Sequence, residues 1–110
     1  MFRRIKIHKR GNPEAHAQLR IIKYCNARGY VVGKIKVKGS MVHGRFIRDP
    51  YLFIGVPDLL IFTPMIYFCE VKAKGGVQSP DQKIFQGLCE RARIPYILAH
   101  DIEDLERAGI

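Results

Sequence analysis

The feature that most constrains the fold is a pair of short apolar runs split by a proline turn. Leu59 to Phe62 and Ile66 to Val71 are apolar almost throughout, and Thr63-Pro64-Met65 lies between them. Runs this short, rich in branched and aromatic residues, read as strands rather than helices. Joined by so brief a turn they make an antiparallel hairpin of two buried strands. A turn centred on Pro64 opposes Phe62 to Ile66, Leu60 to Phe68 and Asp58 to Glu70. Directly opposed side chains stand with their Cβ atoms about 5 Å apart. Side chains two apart in a strand share a face, so Glu70 and Lys72 project with Phe68, while Tyr67, Cys69 and Val71 face the other way.

Two opposed carboxylates repel unless something positive lies between them. A divalent ion with oxygen ligands fits that place. Lys72 has two readings: a salt-bridge partner that neutralises one acid, or a catalytic group near an attacking water or a scissile phosphate. The pair itself has two readings as well, a metal-dependent active site or an ion-pair cluster at a sheet edge.

The rest of the chain fits around this hairpin. Asn12-Pro13 reads as a cap and first helical residue, opening a helix to about Arg28 that stops at Gly29. Leu19, Ile22 and Cys25 or Asn26 repeat at helical spacing in it. Tyr30 to Lys38 alternates, with Val31, Ile35 and Val37 apolar and Lys34, Lys36 and Lys38 opposite, which predicts a half-buried strand with a basic outer face. Gly39 to Gly44 reads as a loop and Arg45 to Arg48 as a short return strand. Ser79-Pro80-Asp81-Gln82 combines a capping box with proline at the first helical position, and Ile84, Phe85, Leu88 and Ala92 form the apolar stripe behind it. Pro95 to Ala99 is a further buried strand, and Asp101 to Ala108 a short acidic helix. The order of elements places the chain in the α/β or α+β class.

With 110 residues the chain is one domain, 1–110, with a basic N-terminal arm at 1–11. Its formal net charge of +9 is unevenly placed. Residues 1–49 hold 13 Lys and Arg against Glu14 and Asp49, whereas residues 50–110 hold 6 against 8 acids. A basic half is a surface for polyanions, most often nucleic acid. The phosphate wall would be built from Arg3, Arg4, Lys6, Lys9 and Arg10 of the arm, Arg20, Lys23 and Arg28 of the first helix, and Lys34, Lys36 and Lys38 of the strand, with Arg45 and Lys74 nearby.

Other chemistries lack their residues. No apolar run reaches membrane-spanning length, and no apolar segment with a cleavage site follows the basic N-terminus. The odd, scattered Cys25, Cys69 and Cys89 argue against a disulfide framework or zinc ribbon and fit a reducing cytosol. His8, His16, His43 and His100 are scattered too, and neither a zinc-hydrolase helix, a nucleophile elbow nor a Walker-type loop is present. Cys69 points away from Glu70 and reads as core packing.

Glu14 in the first helix, Gly55-Val56-Pro57-Asp58, Glu70-Val71-Lys72 and Ser79-Pro80-Asp81-Gln82 occur in this order and spacing. The combination resembles the PD-(D/E)xK nuclease superfamily. Within it the nearest match is the VRR-Nuc type, with archaeal Holliday junction resolvases a more distant likeness. The resemblance spans about residues 13–106. It implies an α/β, restriction-endonuclease-like core, with a central mixed sheet of four to five strands flanked by helices.

It also implies that Asp58, Glu70, the backbone carbonyl of Val71 and Glu14 bind Mg²⁺ or Mn²⁺. Lys72 would position or activate water, and Gln82 would reach the site from the next helix. The expected function is a metal-dependent DNA endonuclease, a homodimer selective for branched or four-way DNA, with no membrane association. The alternative is a basic nucleic-acid-binding module without catalysis.

Overall fold

The computed structural model describes residues 11–36, 41–42, 45–46 and 49–110. Helix α1 (Pro13–Ala27) starts where Asn12 predicts. The Asn12 side chain accepts the Ala15 N–H at 3.1 Å, and Pro13 fills the first helical position, where no amide is needed. Its buried face is Ala17, Ile21 and Cys25 rather than the Leu19–Ile22–Cys25 stripe expected. Leu19 is 49% exposed, while Ile22 packs at the core margin. Steps of four drift by only about 40° around a helix, so Ala17, Ile21 and Cys25 form the row that stays against the sheet.

Strand β1 (Val31–Lys34) pairs antiparallel with β4 (Leu59–Phe62), which pairs antiparallel with β5 (Ile66–Val71). The hairpin register is the one the Pro64 turn dictates: Phe62 opposes Ile66 and Leu60 opposes Phe68. From β5 the chain crosses through α2 (Pro80–Ala92) to β6 (Tyr96–Ala99), which lies parallel to β5. The sheet order is β1-β4-β5-β6, and α3 (Ile102–Arg107) follows. The fold is therefore α/β with a mixed four-stranded sheet. Strands β2 (Met41–Val42) and β3 (Arg45–Phe46) form a separate two-stranded ribbon, so part of the expected 39–44 loop is extended and paired.

The two sheet faces differ. Leu59, Ile61, Cys69, Val71, Ile97 and Ala99 point to the side covered by α1 and α3, where they pack with Ile21, Cys25 and Leu105. Ile21, Leu59, Ile61 and Leu105 are completely buried, each worth about 1.5–3 kcal/mol. The opposite face carries Leu60, Phe62, Phe68 and Glu70, and α2 covers part of it. Phe85 of α2 meets Phe68 edge-on at 5.2 Å.

Two burial expectations are corrected. Val31 is 62% exposed and Val32 instead packs on the core, so β1 turns its other face inward. The α1 layer lies on that side, and pairing with the already oriented β4 sets which β1 side chains meet it. In α2 the buried residues are Gln82, Phe85 and Cys89, with Ile84 exposed. Docking over Phe68 and Glu70 rotates that helix toward Gln82.

Candidate active site

The polar ends of β4 and β5 meet beneath the first turn of α2. Asp58 stands just before β4 and is 5% exposed. Its Oδ2 accepts the Val71 N–H at 2.8 Å, and its backbone carbonyl accepts the Ile35 N–H at 2.9 Å. The backbone bond extends the β1–β4 ladder by one residue, and the side-chain bond ties Asp58 to the end of β5. The approach to it is equally confined. Gly55 has φ +73°, and a Cβ there would lie 2.1 Å from the Asp81 carbonyl oxygen. Only glycine lets the Gly55-Val56-Pro57-Asp58 segment press against the start of α2.

Glu70, in β5, is 0% exposed. Its Oε2 accepts from Gln82 Nε2 at 3.0 Å, with Lys72 Nζ 3.6 Å and Lys36 Nζ 3.5 Å away. Lys36 Nζ also lies 3.2 Å from Asp58 Oδ1. Glu70 Oε1 is buried and has no hydrogen-bond partner among the described residues. Burial, then repulsion from Asp58, pushes the Glu70 carboxyl up to about 7, against the pull of Lys36 and Lys72. Burial pulls the Lys36 ammonium down, but Glu70 and Asp58 outweigh it and hold the group above its ordinary value.

Gln82 does two things at once. Its Oε1 accepts the Ser79 N–H at 2.8 Å while Ser79 Oγ accepts the Gln82 N–H at 3.2 Å, completing the capping box. The remaining amide nitrogen then points at Glu70. The same side chain caps the helix and grips the acid.

The structure thus brings together Asp58, Glu70, Lys72 and Gln82. Glu14 lies half-buried in the first turn of α1, and among the described residues no third His, Cys, Asp or Glu joins the carboxylate pair. The fit to a hard divalent ion rests on the donors themselves. Two carboxylates converge, and among the described residues one buried oxygen, Glu70 Oε1, finds no hydrogen-bond donor.

The basic wall is redrawn. Lys36 was expected on an outer basic face; it turns inward to the carboxylates because hydrogen bonding of Ile35 to Asp58 carries the chain past β1 alongside them. No signal in the alternating Lys34-Lys36-Lys38 pattern marks this, since it depends on which strand pairs with β1. Arg20 forks onto Asp101 (Nε–Oδ1 3.1 Å, Nη2–Oδ2 3.0 Å), and Arg28 lies over the Tyr24 and Tyr30 rings at 5.3 and 5.9 Å. Both make contacts within the fold while remaining exposed. Lys34 and Lys74 are exposed. Arg3, Arg4, Lys6, Lys9, Arg10, Lys38 and the side chain of Arg45 lie outside the described residues. Cys25, Cys69 and Cys89 are buried free thiols, and burial pushes all three up, as expected of core packing.

No protein-family model and no curated protein sequence matches the chain. Among solved structures it is similar to one described as a VRR_NUC domain, with a TM-score of 0.66 and 21% identity over 88% of this chain and 94% of that one. The chain has the fold of that domain.

Proposed function

We propose that the chain is a metal-dependent nuclease that hydrolyses phosphodiester bonds in DNA at the Asp58–Glu70–Lys72 cluster. The observation that carries this reading is the buried carboxylate pair with an orphaned oxygen, set among ammonium groups in a fold shared with a VRR_NUC domain. A pair of this kind is costly to bury unless a cation is part of its working state.

Asp58 and Glu70 would hold Mg²⁺ or Mn²⁺, with the Val71 carbonyl as a further ligand and Glu14 approaching from α1. Bound there, the ion supplies Lewis acidity and a water of lowered pKa. Asp58 is fixed by the Val71 N–H, and Glu70 by the Gln82 amide, so the donor oxygens are oriented before substrate arrives. Lys72, 15% exposed and beside Glu70, reaches the edge of the cluster, where its ammonium stabilises charge developing on the phosphate oxygens. Arg3, Arg4, Lys9, Arg10, Lys34, Lys38, Arg45 and Lys74 supply phosphate contacts that steer the backbone.

A single small α/β domain offers little surface for reading a long base sequence, which favours branched or four-way DNA, with a homodimer presenting two sites to two strands. The free buried thiols support an intracellular setting.

The test is cleavage of labelled linear duplex, single-stranded and four-way substrates with and without Mg²⁺, in wild type and Asp58→Asn. Asn retains an acceptor for the Val71 N–H, so the variant should fold, bind DNA and fail to cut. Equal, slow nicking of all substrates would remove the junction claim. One observation favours a second reading, a non-catalytic binding module: Lys36 already bridges both acids as a structural ion-pair cluster would. That reading requires no metal-dependent cleavage by either protein, with binding that weakens steeply in salt.

A further inference from the structure

We infer that Lys36 is a resident counter-cation of the carboxylate pair, a positioning residue that a divalent ion must displace and that sets the ion concentration at which the site fills. The inference rests on the metal-site reading above and concerns a residue outside the Gly55–Asp58 and Glu70–Lys72 segments.

Lys36 and Lys72 do different things. Among the described residues Lys72 forms an ion pair with Glu70 alone, from just past the end of β5. Lys36 comes from the segment just past β1 and touches both acids, at 3.2 Å from Asp58 Oδ1 and 3.5 Å from Glu70 Oε2. A cation that bridges both carboxylates stands where a shared metal ion would be needed, and the two compete for the same oxygens. Without such a group the pair would be a buried double negative charge, and the strand ends would tend to separate.

The lysine is also suited to leave. Its side chain is 41% exposed, against 15% for Lys72, and it has a long flexible stem. Its backbone is anchored through the Ile35–Asp58 bond, so release needs only side-chain rotation. The site is thereby kept in shape before the ion arrives, at the expense of affinity for it.

The experiment titrates Mn²⁺ alone into wild type, Lys36→Met, Lys36→Gln, Lys36→Arg and Lys83→Met, by calorimetry and by the electron-spin signal of the free ion. Lys83 is an exposed lysine of α2 and serves as the control for net charge. Removing a half-exposed competing ion pair should tighten Mn²⁺ binding about five- to tenfold in Lys36→Met and Lys36→Gln. Lys36→Arg, which keeps the charge, and Lys83→Met should stay within about twofold of wild type. In chelator, Lys36→Met should melt below wild type and gain more from added Mn²⁺. Unchanged affinity in Lys36→Met and Lys36→Gln, with wild type binding the ion, overturns the inference and leaves the nuclease reading standing. An equal rise in Lys83→Met overturns it too. Failure of every protein to bind Mn²⁺ overturns both.

Discussion

Glu70 makes folding stability depend on pH in a direction opposite to that of most acids. A carboxyl raised from 4.5 to about 7 binds its proton more tightly in the folded than in the unfolded chain. Between those values the native state holds more protons, so stability must fall as pH rises. The contribution is complete below about 4.5 and lost as pH passes through about 7. Each pH unit of difference is worth about 1.4 kcal/mol. Going from about pH 5 to about pH 8 therefore costs on the order of 2–3 kcal/mol, a large part of a stability of about 5–15 kcal/mol. For a domain of this size that is a fall in Tm of roughly 10–15 °C.

The assay is thermal unfolding in chelator at both pH values, for wild type and Glu70→Gln. Glutamine mimics the protonated acid and cannot ionise, so the variant should lose most of this fall, which separates Glu70 from other titrating groups. It should also melt above wild type at the higher pH. Identical pH dependence in the two proteins would refute the argument, because it would mean that burial and Asp58 do not hold the Glu70 proton. Millimolar Mg²⁺ at the higher pH should recover part of the wild-type loss and do nothing for the variant.

Three substitutions probe the supports of the site. Gly55→Ala combines a left-handed backbone with a Cβ 2.1 Å from the Asp81 oxygen, and should cost about 2–4 kcal/mol by thermal melting, with cleavage falling as the first turn of α2 moves. Gln82→Ala removes the reciprocal half of the capping box and the donor to Glu70, and should destabilise by about 1–3 kcal/mol in a urea titration. Lys72→Met should fold normally yet cut about 100-fold more slowly in a single-turnover assay, since it removes one stabiliser of developing charge.

Much of this architecture is legible locally. Asn12-Pro13 and Ser79-Pro80-Asp81-Gln82 set helix starts through hydrogen bonds spanning three residues. The Pro64 turn sets the β4–β5 register, and register alone brings Asp58 to the level of Glu70. Contacts this short in sequence depend on backbone geometry that neighbouring residues dictate. The outer strand and the helix faces were less accessible. Which face of β1 meets the core, and which row of α1 or α2 is buried, depends on partners dozens of residues away.

The same division runs through the site. Sequence alone determined the identity and alignment of the two acids, the adjoining lysine and the helix cap. Tertiary structure alone decided that Lys36 bridges the acids and that Gly55 must lack a side chain. Pattern in a chain specifies spacing along one strand or helix. Charge neutralisation and close approach depend on distances across the fold, which only the packed layers set.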